Sequence, residues 1–232
     1  MARAKMSRIA FSRKAIPTIA CINKAKMDLG VDFDRLIPAL QTFLDDCFAP
    51  IWGTPAKLVK ATKPRHGDWT MVFLDRPDAP DAEGYHDITY RGLPLGKVFI
   101  KPTLDNKDKV SVTACHELCE TMVDPAANLW AIGDRGLVWA YEVCDAVEEE
   151  EFLLDGISMS DFVYPAYFEA FRKPKSTQFD YLNKLTRPFQ LLKGGYGEIR
   201  HTRRDKDVNF GSKSKARRFA KEDRRYHRST YR

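Results

Sequence analysis

Ser111-Val112-Thr113-Ala114-Cys115-His116-Glu117-Leu118-Cys119-Glu120-Thr121-Met122-Val123-Asp124 is the stretch on which the fold and the chemistry turn. The spacing predicts a helix from Ser111 to Val123, stopped by Asp124-Pro125. Wound at ~100° per residue, it gathers Val112, Cys115, Leu118, Cys119 and Met122 on one face and Thr113, His116, Glu117, Glu120 and Asp124 on the other. The second face carries no Lys or Arg. A solvated helix face normally mixes signs and forms i,i+4 ion pairs. Three carboxylates beside one histidine repel one another unless a cation compensates, and a divalent metal does so most economically.

His116 and Glu120 stand one turn apart, the spacing with which two side chains grip one ion. Glu117 points beside that ion, where a carboxylate can act as general base toward water. Asp124 lies two turns from His116, ~12 Å along the axis, and is expected at the helix end rather than on the same ion. The third ligand must come from elsewhere. Glu142 in Tyr141-Glu142-Val143-Cys144-Asp145 is the first choice. Asp145 is expected either to orient His116 from behind or to be the ligand instead. The plain alternative is a solvated polar helix face.

Outward from this helix, Ile16 to Ile22 reads as a strand. Phe33, Leu36, Ile37, Leu40, Phe43, Leu44 and Cys47 form the apolar stripe of a helix capped by Asp34 and stopped by Pro50. Lys57–Ala61, Trp69–Leu74, Gly84–Tyr90 and Lys97–Ile100 read as strands, with a proline-rich acidic loop over Asp75–Glu83. Beyond the metal helix come a Trp-containing loop, a strand over Val138–Val143, a hairpin strand over Phe152–Ile157, and a short aromatic helix or turn over Tyr164–Phe171. The class expected is α+β: a mixed sheet packed on an N-terminal helix and an active-site helix. The boundaries expected are a basic arm over 1–15, a globular domain over 16–199 and a basic, disordered or partner-ordered tail over 200–232.

The run His116-Glu117-x-x-Glu120 resembles the HExxH signature of zincin metallopeptidases, with glutamate in place of the second histidine. A downstream Glu142 with nearby Asp145 is similar to the gluzincin arrangement. The resemblance implies a zincin-like domain binding a divalent metal, zinc first. It also implies a peptide or protein substrate aligned on the edge-strand region Gly84–Ile100, and Glu117 as general base. One histidine with two carboxylates makes a harder, more anionic site that also suits manganese, magnesium or calcium. Gly84-Tyr85-His86-Asp87, Pro94–Phe99, Ser111–Pro125, Tyr141–Glu148, Ser160–Pro165 and Gly194-Gly195-Tyr196 look more closely like a family of bacteriophage and prophage proteins. That resemblance spans roughly residues 18–199. It implies phage structural proteins as partners and a place in the host cytoplasm or the virion.

With 44% hydrophobic residues, the chain has apolar surface enough for a core. No apolar run approaches the ~20 residues of a membrane helix, so no membrane partner is expected. Met1–Ala15 has no apolar block and does not read as a secretory signal, although its charge also suits an organellar transit peptide. The net charge of +6 is unevenly distributed. Residues 1–14 hold five Lys/Arg and no acid, and residues 200–232 hold thirteen against four acids, leaving an acidic body. The tail interleaves its cations with Phe210, Phe219, Tyr226 and Tyr231, a pattern suited to nucleic acid or to an acidic protein surface.

Five cysteines in apolar contexts read as buried thiols of a reducing compartment rather than a disulfide framework. His86 reads as a structural strand histidine or a hydrogen-bonding group near the site. Glu148–Glu151 reads as a solvated turn, and Tyr141, Tyr164 and Tyr196 as core or cleft lining.

Overall fold

A computed structural model describes residues 16–78, 82–201 and 204–207. The basic arm over 1–15 lies outside the described residues, as does most of the 200–232 tail expected to meet nucleic acid or protein, from residue 208 onward. The class is mixed α+β. Strands β1 (Thr18–Asn23), β2 (Lys57–Lys60), β3 (Trp69–Leu74), β4 (Gly84–Ile88) and β5 (Pro94–Phe99) form one sheet in the order β2-β1-β3-β5-β4. The first three pairings, β1 with β2, β1 with β3 and β3 with β5, are parallel. β4 runs antiparallel to β5 and is an edge of the sheet.

Period-2 alternation sorts the strands into two faces. Ile19, Cys21, Met71, Phe73 and Val98 enter the main core, whereas Ala20, Ile22 and Val72 form a small cluster on the reverse. Helix α1 (Phe33–Phe43) adds Leu36, Ile37, Leu40 and Phe43 to the main core. Its cap is Asp32, whose carboxylate accepts from Asp34 N–H, rather than Asp34 itself. Pro50 does not stop the helical path. A π-helical turn over Leu44–Phe48 leads into a short helix α2 (Ala49–Trp52), with Pro50 in its first turn, where its missing N–H costs nothing. The path ends at Gly53, in the left-handed region at φ +69°.

Helix α3 (Ile100–Asp105) follows β5 directly, and the sequence reading had its first residue as strand. Helix α4 (Val110–Val123) then carries the His116 run. The Trp-containing segment is not all loop: β6 (Trp130–Ile132) pairs with β7 (Leu137–Ala140). β7 stops at Ala140, so Tyr141–Val143 is not strand; Tyr141 N–H instead bonds Leu129 O and Val163 N–H bonds Val143 O. A hairpin of β8 (Glu151–Leu154) and β9 (Ile157–Ser160) follows, with β9 packed on α4. Packing also runs past residue 199. β10 (Ile199–His201) pairs with β7 and with β11 (Arg204–Asp207), so the first residues assigned to the tail belong to the second sheet.

Candidate metal centre

α4 lies against β4 and β5, and nearly all of its residues are buried, including Glu117 and Glu120. Its polar face therefore meets the sheet, not water. Two glycines make this approach possible. A Cβ at Gly84 would stand 2.6 Å from Glu117 Oε1, and one at Gly96 would stand 3.3 Å from Thr121 Oγ1. His86 is paired with Gly96 across the strands, and it shares a face of β4 with Gly84 because they are two residues apart. The imidazole thus enters the space between the sheet and α4, its side chain 1% exposed.

The opposite wall is the loop after β7. Glu142 and Asp145 are both buried there. Its backbone is held by the segment from Leu192 to Tyr196: Leu192 N–H donates to Ala146 O and Tyr196 N–H to Asp145 O. A Cβ on Gly195 would come within 2.3 Å of Ala146 O. Cys144 N–H reaches Glu120 Oε1 at 3.5 Å.

These elements bring two histidines and three carboxylates together. His116 Nε2 stands 3.2 Å from Glu120 Oε1 and 3.3 Å from Asp145 Oδ1. His86 Nδ1 stands 3.4 Å from Glu120 Oε2 and 3.8 Å from Glu142 Oε2. His116–Glu120–Asp145 and His86–Glu120–Glu142 each have ligand atoms within 4.8 Å of one another, so each has a spacing that can hold a metal ion. Ligands ~2.1 Å from a tetrahedral ion lie about 3.4 Å apart, which these separations approach. His116 Nδ1 faces Glu148 Oε2 at 3.3 Å, so both ring nitrogens have a carboxylate neighbour.

All four metal-ligating candidates fall in this cluster, but Glu142 does not join His116. Asp145 occupies that place, because the chain turns at Asp145–Val147 and carries Glu142 toward β4. Asp124 stays apart and accepts from Leu129 N–H at the helix end. The sequence reading did not place His86 beside Glu120 and Glu142, nor Glu148 behind His116. Gly-x-His in a strand just before the helix of the His116 run is the signal for the first. Glu148 stands three residues past Asp145, on the same turn, which is the signal for the second.

His116 and Glu120 hold each other in their charged forms. Burial opposes the His116 cation, but Glu120, then Cys144, Glu148 and Asp145, outweigh it and raise its pKa well above the usual value. Burial likewise opposes ionisation of Glu120, yet His116 and His86 hold its carboxyl well below the usual range. The five cysteines are buried free thiols. Tyr141 stacks on Phe168 at 3.9 Å between ring centroids, and Tyr164 packs near Phe162, so neither enters the cluster. No helix among the described residues is long and apolar enough to cross a membrane.

No family model, curated protein or solved structure matches the chain.

Proposed function

We propose that this chain is a zincin-like, metal-dependent peptidase, with His116, Glu120 and Asp145 as ligands and Glu117 as general base. The observation that carries the reading is the ligand-spaced set at His116 on a helix whose next residue is a buried glutamate. The donors fit a divalent cation: one imidazole nitrogen and two carboxylate oxygens suit zinc, and also manganese or magnesium. A bound ion would supply Lewis acidity, polarising a carbonyl and making water easier to deprotonate.

The chain's own residues supply the rest. Glu117 accepts the proton from the attacking water and returns it to the leaving amine. Glu148 fixes the ring of His116 through Nδ1. β4 offers the main-chain groups of a sheet edge to an extended peptide. The side chain of His116 is 12% exposed, so the site is approached from its side of the cluster.

A second reading is a non-catalytic virion protein of phage origin, its basic arms bound to DNA or to neighbouring subunits. The burial of Glu117 against Gly84 and the thirteen Lys/Arg over 200–232 favour it. Glu117→Gln separates the two. The peptidase reading predicts loss of cleavage of an unstructured protein substrate with metal content unchanged. Equal cleavage by the variant, or none by the parent protein, contradicts it.

A further inference from the structure

We infer that the cluster is a dinuclear centre in which the Glu120 carboxylate bridges two divalent ions, one held with His116 and Asp145 and the other with His86 and Glu142. This rests on the metal-binding part of the function proposed above and adds a second ion to it.

Glu120 is fully buried, and its two oxygens face different histidines. Oε1 belongs to the His116–Asp145 group and Oε2 to the His86–Glu142 group. Oε2 is enclosed beside His86 Nδ1, which in turn neighbours Glu142 Oε2. A carboxylate presented this way to two nitrogen–oxygen pairs is the geometry of a bridging ligand, and paired metal sites stand ~3.5–4 Å apart. Single-ion binding at His116 would leave the second group as a buried histidine between two carboxylates, with no chemistry assigned to it. Two divalent ions offset the charges of Glu120, Glu142 and Asp145 together with that of the neighbouring Glu148.

The two positions differ in access. His86 and Glu142 have side chains 1% and 5% exposed, whereas His116 is 12% exposed with Glu148 beside it at 24%. A closed site retains its ion and an open one exchanges it. The His86 ion therefore has the character of a structural one, holding β4 to the loop after β7, and the His116 ion faces substrate.

The test is titration of metal-free full-length protein with Mn2+, followed by electron paramagnetic resonance. The expected result is two tightly bound ions per chain, giving the multiline spectrum of an exchange-coupled pair. His86→Ala is expected to bind one ion with the spectrum of an isolated ion. Glu142→Gln serves as the second variant should His86→Ala fail to fold, and the wild-type spectrum needs neither. One uncoupled ion in the wild type, unchanged in the variant, overturns the dinuclear centre and leaves the single-metal reading standing. Two uncoupled ions overturn the bridging role of Glu120. No binding at all overturns both readings.

Discussion

Glu117 and Glu120 lie three residues apart on α4, yet their surroundings give them different tasks. Glu120 faces two histidines that hold its carboxyl below the usual range, which suits it to the ligand role proposed for it. Glu117 packs against Gly84, beside the ligands rather than among them. A different buried acid shows the opposite balance. Burial and then the neighbouring Asp180 push the pKa of Asp161 up to about 8. An unfolded aspartate titrates near ~3.9, so the folded chain binds a proton that the unfolded chain releases. The contribution is full below that pH and is lost as pH rises toward 8. Asp161→Asn keeps the oxygen that accepts from Phe162 and Leu182 N–H and removes the ionisation. Thermal melts at pH 5 and pH 8 are expected to show a smaller fall for the variant than for the parent; parallel falls would refute the assignment.

The elements set the site through close backbone approach. Gly84→Ala forces Glu117 away from its place without touching a metal ligand, and is expected to cut peptidase activity at least tenfold with metal content retained. Gly195→Ala puts a methyl into Ala146 O and displaces the loop that carries Asp145. It is expected to weaken metal affinity by one to two orders of magnitude, measured by competition with a chelating dye, as loss of a supporting contact does. Both predictions fail if the variants match the parent.

Much of this element scale was legible in the sequence. The strand runs over 69–74 and 84–88 and the helical period of 110–123 mark their structure locally, although the helix buries its polar face as well as its apolar one. The partition of Glu142 and Asp145 was not legible, because it depends on where β7 ends. Val143 and Cys144 are as apolar as strand residues but are buried by the turn and by α4. Nor was the cap of α1, since Asp32 and Asp34 are equally good capping residues and only backbone geometry chooses.

At the scale of the molecule, one core joins the sheet, α1, α4 and the β8–β9 hairpin. Phe43 is fully buried and meets Phe162 edge to face at 5.7 Å between ring centroids. Phe43→Ala is expected to cost about 3–5 kcal/mol in a denaturant melt; a loss under ~1 kcal/mol would mean that this contact is not central to the core. The candidate metal centre lies where that core meets the edge strand and the loop after β7, so an ion held there would tie three elements together. Metal content of the purified full-length protein, by elemental mass spectrometry on wild type and His116→Ala prepared without chelators, tests this most directly. The account predicts at least one divalent ion per wild-type chain and a loss of one in the variant. Wild-type protein free of metal, and unable to take it up from solution, would contradict it.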